Sequence, residues 1–185
     1  MPPQFELRAG RWIGEGFPCY IIAEIGQNHQ GSVDTAKQLI KVAKDCGADC
    51  VKFQKSDFSA KFTASVLSRR YDSPHAFGLT YGEHKRFLEF SVEQYKELIA
   101  YAQSLSIDFS ASAMDEVNLI IKFETPEKNI FQKLFHIYSK VSLDVLVQLE
   151  VPFIKIGSGD ANNFHLLVKA AKTQLPIIYS TGEFL

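Results

Sequence analysis

Residues 19–54, CYIIAEIGQNHQGSVDTAKQLIKVAKDCGADCVKFQ, contain the clearest indication of the fold class. Residues 19–25 are a near-continuous apolar run, which is typical of a strand covered on both faces. In residues 33–46 apolar side chains recur every third or fourth position, which predicts a helix that ends at Gly47. Residues 50–53 are expected to form a second strand. A strand, a helix and a further strand in this order predict a βαβ unit.

The same alternation continues along the chain, as expected of a parallel α/β protein. Residues 55–90 interrupt it, because they are polar, aromatic and only weakly periodic. A connection of that length is more often a functional or lid-like segment than a plain linker. Ser91 and Gln94 fit a capping box at the start of the following helix. Strands are then predicted at residues 108–112, 151–157 and 176–180, and helices at residues 145–149 and 165–173.

Composition predicts one globular domain and excludes several classes of function. The chain has 185 residues, with 46% hydrophobic and 22% charged residues, which is ordinary for a soluble protein. A net charge of −1 gives no basic surface for nucleic acid. Because the chain has no long apolar run and its N-terminus has no apolar leader, we expect no membrane span and a cytoplasmic location.

The cysteines Cys19, Cys46 and Cys50 are too few and too uneven in number for a disulfide framework. Cys46 and Cys50 resemble half of a metal site, but no second Cys or His pair has matching spacing. All three are therefore expected to be buried structural cysteines.

Polar side chains recur where the predicted strands end. In parallel α/β proteins this end of the sheet carries the catalytic groups. Two lysines and three serines there would suit a phosphate or carboxylate, and the single glutamate would suit acid–base work, metal binding or sugar hydroxyls. These residues are Glu24, Lys52, Gln54, Ser112, Lys155, Ser158 and Ser180.

Each of these features also has an ordinary structural explanation. A strand-end lysine more often forms a salt bridge or extends to solvent than takes part in catalysis. Residues 157–159, Gly-Ser-Gly, fit a tight turn and are not followed by the Lys of a phosphate-binding loop. Asn163 would cap the next helix, and His29 would lie in a turn. Functional interpretation therefore depends on the coincidence of several polar residues at equivalent strand ends.

Five motifs of the chain resemble, in order, those of the sialic acid synthase family. The resemblance is greatest to the animal N-acylneuraminate-9-phosphate synthases and extends over residues 5–117 and 142–182. The ordered series makes the resemblance specific. The motifs are residues 22–31 (IAEIGQNHQG), 51–54 (VKFQ), 81–86 (YGEHKR), 155–164 (KIGSGDANNF) and 180–182 (STG).

The resemblance implies a TIM-type (β/α)8 barrel, of which residues 1–185 are expected to supply the N-terminal part with about the first five strands. A small antifreeze-protein-like domain usually follows this barrel and is expected to be absent from the chain. Residues 118–141 have no counterpart in the family pattern and are expected to be an insertion. An open arc of five strands is expected to expose two sheet edges and an apolar interior.

The resemblance also implies an activity. The family condenses phosphoenolpyruvate with N-acetylmannosamine or its 6-phosphate and releases phosphate by C–O cleavage. It uses a divalent metal, Mn²⁺ or Mg²⁺, whose ligands are expected beyond Leu185. By motif match, the phosphoenolpyruvate contacts are Lys52, Ser112, Lys155, Ser158 and Ser180. Glu24 would lie beside the metal and the sugar aldehyde, and Gln54 would line the sugar side. A homodimer is the family's usual assembly.

Two other interpretations stay open. A Schiff-base aldolase on the same fold would use Lys155 or Lys52 as the amine nucleophile. Alternatively, the chain is a non-catalytic fragment that binds a ligand or a full-length partner, because part of the family's active site is expected outside it. Borohydride trapping would identify the aldolase, and co-purification with an intact synthase would identify the fragment.

Overall fold

The computed structural model describes residues 4–114 and 142–182 of the chain. A five-stranded parallel sheet, β3-β4-β5-β6-β7, and a two-stranded antiparallel hairpin, β1-β2, form its β-structure. In chain order the strands are β1 (Gln4–Arg8), β2 (Arg11–Gly14), β3 (Ile22–Gly26), β4 (Cys50–Lys55), β5 (Asp108–Ala113), β6 (Ile154–Ile156) and β7 (Ile177–Tyr179). Parallel strands that neighbour one another in chain order form part of a (β/α) barrel, as the sequence predicts. The expected insertion at residues 118–141 lies outside the described residues.

Helices connect the parallel strands. They are α1 (Val33–Asp45), α2 (Phe58–Lys61), α3 (Ala64–Leu67), α4 (Tyr81–Leu88), α5 (Val92–Ser104), α6 (Ser142–Gln148) and α7 (Phe164–Lys172). The capping box predicted at Ser91 and Gln94 is confirmed, and Asn163 caps α7 by accepting from the Leu166 amide. In the part of the chain that the structure describes, no helix is long and apolar enough to cross a membrane.

The outward face of the sheet packs against these helices and forms the main core. Side chains alternate between the two faces of a strand, so Val51 and Phe53 of β4 point toward α1 and α5. Burial of these apolar residues removes them from water, which is the main favourable term in folding. The fully buried helical residues of this core include Ile40, Leu98, Leu146 and Leu166.

The N-terminal hairpin, β1-β2, packs near the N-terminal ends of the strands. Leu7 of β1 is buried with Cys50 and Phe153, which lie on the inward face of the sheet. Asp108, the first residue of β5, accepts hydrogen bonds from Arg8 and from Tyr20, both at 2.7 Å. The expectation of an uncovered apolar interior is therefore wrong for this lower end, because the hairpin covers it.

Several local expectations need correction. Cys19 and Cys46 are exposed, since Cys19 precedes β3 and Cys46 caps the end of α1, and only Cys50 is buried. The strand expected at residues 19–25 begins at Ile22, and that expected at residues 151–157 is limited to Ile154–Ile156. The weakly periodic connection contains α2, α3 and α4, each of which begins after a Thr or Asp cap.

Candidate active site

Adjacent parallel strands bring the predicted polar residues to one end of the sheet. The register of β3 and β4 places Glu24 opposite Lys52. Ser112 of β5 lies opposite Gln54 on one side and opposite Lys155 on the other. Because residues two apart share a face of a strand, Lys52 and Gln54 both point to the inward side. The site is therefore built from the carboxyl-terminal halves of neighbouring strands.

Lys52 is a buried cation with two described partners. It is only 6% exposed, and its Nζ donates to Ser112 Oγ at 3.0 Å and forms an ion pair with Glu24 Oε2. A buried ammonium requires such partners, because its loss of hydration costs several kcal/mol. The Glu24 side chain is 54% exposed, so its carboxylate reaches water. Since an ammonium has three donors, one N–H of Lys52 has no described acceptor.

Lys155 supplies a second positive charge to the same site. Its Nζ donates to Ser180 Oγ at 2.5 Å and to the Ile156 carbonyl at 2.6 Å. Burial lowers the pKa of Lys155, and the charge of Lys52 lowers it further, while Glu24 acts in the opposite direction. The two ammonium groups thus act on each other across Ser112 of β5, and the one carboxylate of the set, Glu24, lies beside Lys52 on β3. This local excess of positive charge favours an anionic ligand.

Gln54 and Glu24 converge on Gly26. A Cβ added to Gly26 would lie 3.6 Å from Gln54 Nε2 and 3.7 Å from Glu24 Oε1. Gly26 has φ +57°, a left-handed conformation that glycine adopts readily. The buried Tyr95 positions the β4 backbone, because its hydroxyl donates to the Gln54 carbonyl at 2.6 Å. Glycine therefore lets the β3 chain turn beside these two polar side chains.

Ser158 is separated from the other predicted residues. It lies exposed in the short 3-10 turn Ser158–Asp160, after β6. Within residues 4–114 and 142–182, its hydroxyl forms no hydrogen bond with Lys52, Lys155 or the other predicted residues. The structure thus brings six of the seven candidates to the strand ends and places Ser158 at the rim.

Sequence reasoning missed two residues beside this site. Lys85 Nζ of α4 donates to Gln27 Oε1 at 3.3 Å, and Gln27 follows Glu24 in the loop after β3. Both residues lie inside the family-like motifs, which is the only sequence signal for them. Their contact joins positions 58 residues apart, so spacing could not reveal it.

His29 has a structural role that its turn-like sequence context did not show. It is 2% exposed and stacks on Phe90 with ring centroids 4.0 Å apart. Its Nδ1 accepts a hydrogen bond from the Gly31 amide at 3.1 Å. Burial lowers the pKa of His29 to about 4, so the ring is neutral at pH 7. His29 thereby anchors the loop that carries Gln27.

The described residues do not fit a divalent metal. Among residues 4–114 and 142–182, no three His, Cys, Asp or Glu residues lie together as a metal group. Glu24 is the only carboxylate of the candidate set, and one of its oxygens pairs with Lys52. A single carboxylate next to two ammonium groups is a poor cation site, because Mg²⁺ and Mn²⁺ prefer several oxygen ligands. The described residues suit an anion.

Comparisons with known proteins identify the family. The family model described as the NeuB family matches residues 39–132 and 127–184. N-acetylneuraminate-9-phosphate synthases from Mus musculus and Drosophila melanogaster are 50% and 56% identical over 182 and 163 residues. The chain belongs to the NeuB family. These alignments cover 98% and 88% of this chain but 44% and 37% of the relatives, so the chain spans less than half of their length.

Solved structures confirm the fold. The N-acetylneuraminic acid (sialic acid) synthetase of Leptospira borgpetersenii superimposes with a TM-score of 0.71, at 24% identity, over 100% of this chain and 52% of that one. The spore coat polysaccharide biosynthesis protein SpsE of Bacillus subtilis gives a TM-score of 0.62 at 25% identity, over 96% of this chain and 39% of that one. The parallel arc of five strands is thus a partial barrel of this fold.

Proposed function

We propose that the strand-end site binds phosphoenolpyruvate and that the protein condenses it with N-acetylmannosamine 6-phosphate. The products would be N-acetylneuraminate 9-phosphate and inorganic phosphate. One observation carries this proposal: Lys52 donates to Ser112, Lys155 lies opposite Ser112 on the neighbouring strand, and Glu24 is the one carboxylate of the candidate set beside them. The names of the animal relatives support the same reaction.

The ligand's charges match the donors of the site. Phosphoenolpyruvate carries a phosphate and a carboxylate, and lysine binds such groups as a point charge. One N–H of Lys52 has no acceptor among the described residues, and Ser112 and Ser180 hold the two ammonium groups in place through their hydroxyl oxygens. Ser158, at the rim, would add a hydroxyl donor once the ligand is bound. The anion would also offset the mutual repulsion of the two lysines.

The chemistry of the proposed reaction balances without any redox step. The terminal carbon of phosphoenolpyruvate forms a bond to the aldehyde carbon of the sugar, and water adds to the carbon that carries the phosphate. The C–O bond then breaks, and phosphate leaves with its bridging oxygen. Glu24, the carboxylate of the candidate set, would hold or move a proton on the aldehyde side, with Gln54 beside it. The expected divalent metal would need ligands other than these residues.

A Schiff-base aldolase is the second candidate, because burial and the charge of Lys52 lower the pKa of Lys155. A lowered pKa increases the fraction of neutral, nucleophilic amine. Borohydride in the presence of pyruvate would trap the imine on Lys155 as a covalent adduct, detected by mass spectrometry. The synthase proposal predicts no adduct, because phosphoenolpyruvate condensation needs no imine.

The experiment is a phosphate-release assay with phosphoenolpyruvate, Mn²⁺ and either N-acetylmannosamine 6-phosphate or N-acetylmannosamine. It is made on the chain and on a chimera in which the mouse relative supplies the sequence that follows residue 182. We expect sugar-dependent phosphate release by the chimera, with one N-acetylneuraminate 9-phosphate formed per phosphate when the sugar is the 6-phosphate. No turnover by the chimera would contradict the proposal, and phosphate release without sugar would indicate hydrolysis instead. The same proposal assigns the reaction to the cytoplasm and, by the family pattern, to a homodimer.

The chain and the chimera also distinguish the non-catalytic alternative from the synthase. If the chain binds phosphoenolpyruvate but only the chimera catalyses the condensation, the chain holds part of the active site. If the chain binds no ligand and co-purifies with an intact synthase, it acts as a partner of that synthase. Calorimetric titration of the folded chain with phosphoenolpyruvate distinguishes these two outcomes.

A further inference from the structure

Two lysines of the long β4–α5 connection flank an aromatic pair. Phe62 and Tyr81 pack edge to face, with ring centroids 5.4 Å apart. Lys61 Nζ lies 5.8 Å from the Phe62 ring centroid, and Lys85 Nζ lies 5.7 Å from the Tyr81 ring centroid. The aromatic rings therefore hold two ammonium groups in the same part of the connection, close enough for each to affect the other.

These two cations have no carboxylate partner among the described residues. Across residues 4–114 and 142–182, the ion pairs involve other lysines and arginines, and the hydrogen bond of Lys85 goes to the neutral amide of Gln27. Glu89 pairs instead with Lys55. Burial lowers the pKa of Lys85, and the charge of Lys61 lowers it further, with Glu89 acting in the opposite direction. A half-buried ammonium beside a like charge is destabilised unless an anion joins it.

The pair lies next to the proposed acceptor side of the active site. Gln27, which Lys85 contacts, follows Gly26, and Gly26 is the residue on which Glu24 and Gln54 converge. The N-terminus of α4 does not supply the donors for an anion, because Glu83 already accepts from the amides of Leu79 and Thr80 at 2.8 and 3.0 Å. The positive charge of this region therefore comes from the two lysine side chains.

We propose that Lys61, Lys85 and Gln27 form a second anion site, which binds the phosphate group of a phosphorylated acceptor sugar. This inference rests on the proposed condensation, because it assigns the acceptor's phosphate to a place beside the same strand ends. The two ammonium groups supply charge, and the Gln27 amide supplies a donor and an acceptor for orientation. The unphosphorylated sugar has no group for this site.

The test compares ligand binding by the charge-removing variants Lys85→Gln and Lys61→Gln with a matched control. Lys96→Gln removes an exposed lysine of α5 that belongs to neither site. Calorimetry on the whole chain and on the mouse chimera uses N-acetylmannosamine 6-phosphate, N-acetylmannosamine and inorganic phosphate as separate ligands. We expect Lys85→Gln to weaken binding of the phosphorylated sugar by about tenfold or more, the scale of one hydrogen bond to a charged group.

Three further results are expected. Binding of the unphosphorylated sugar stays unchanged in both variants, Lys96→Gln resembles the wild type, and Lys85→Arg retains most of the affinity because it keeps the charge. Stronger binding of the 6-phosphate than of inorganic phosphate identifies the sugar phosphate as the ligand of this site. Equal binding of the two would mean that the site recognises phosphate alone, which contradicts the assignment. The inference is also overturned if Lys85→Gln weakens the binding of both sugars equally, or weakens the binding of neither.

Failure of this inference can be told apart from failure of the proposed function. Phosphoenolpyruvate binding is measured on the same variants and does not depend on Lys61 or Lys85. Loss of 6-phosphate discrimination with intact condensation would reject the second site alone. A Lys85-dependent preference for the 6-phosphate in a protein that never releases phosphate from phosphoenolpyruvate would reject the condensation and leave the second site standing.

Discussion

We expect removal of the Glu24 charge and removal of the Lys52 charge to change the stability of the protein by very different amounts. Lys52→Met removes a cation that is 6% exposed, whereas Glu24→Gln leaves this cation in place without its carboxylate. The Glu24 side chain is 54% exposed, so a carboxylate left alone stays hydrated. We therefore expect Glu24→Gln to destabilise the protein and Lys52→Met to have little effect on the free energy of unfolding.

The magnitudes follow from burial. Leaving one member of a fully buried pair alone costs roughly 3–5 kcal/mol. Here the Ser112 hydroxyl still accepts from Lys52 at 3.0 Å, and only one member of the pair is buried. We expect a cost of about 1–3 kcal/mol for Glu24→Gln and a change within about 1 kcal/mol for Lys52→Met. A ligand anion at 100 times its Kd would restore about 2.7 kcal/mol to the Glu24 variant.

Urea unfolding followed by circular dichroism, with and without phosphoenolpyruvate, measures these differences. The matched control is the exposed i,i+4 pair of Lys41 and Asp45 on α1, where neither single removal should change stability measurably. Phosphoenolpyruvate should stabilise the Glu24→Gln protein strongly and the Lys52→Met protein weakly. Equal destabilisation by the two changes, or equal stabilisation of both variants by phosphoenolpyruvate, would show that Lys52 does not depend on Glu24 for charge compensation.

Three further outcomes follow from individual contacts. Because the pKa of Lys155 is lowered, phosphoenolpyruvate affinity should fall with rising pH below the ordinary lysine range, and Lys155→Met should abolish this limb in a calorimetric pH series. The unfolded chain binds a proton that buried His29 does not, so stability should fall by up to about 3 kcal/mol as pH drops from 6.5 toward 4. His29→Phe should flatten that slope in urea titrations, and an unchanged slope would contradict the assignment. Tyr95→Phe should cost about 1 kcal/mol by removing the bond to the Gln54 carbonyl, and wild-type stability would contradict that role.

The barrel part of the fold was predictable because its signals are local. Apolar periodicity at residues 33–46 and the glycine after it correspond to α1 within one residue at its end. The N-terminal hairpin was not predicted, since Leu7 is the one residue of β1 that is buried, and a single buried side chain gives no strand pattern. Its position is determined by long-range contacts with Asp108, Cys50 and Phe153.

The strand-end site was predictable only as a set. Parallel strands bring their carboxyl ends together, so Lys52, Ser112 and Lys155 meet because of topology. The sequence does not reveal that Lys52 is deeply buried, nor that Ser158 lies exposed in a turn. Lys85 reaches Gln27 through the packing of the long connection, and no local pattern encodes that contact.

Phosphoenolpyruvate titration of the folded chain by isothermal calorimetry measures whether Lys52 and Lys155 form one anion site. We expect one bound ligand per chain and an affinity reduced by about tenfold or more in Lys52→Met and in Lys155→Met. We expect no detectable binding when both changes are combined. Lys96→Gln should bind as the wild type does. Wild-type affinity in the combined variant, or no binding by a folded wild-type chain, would contradict the claim that these two lysines form the anion site.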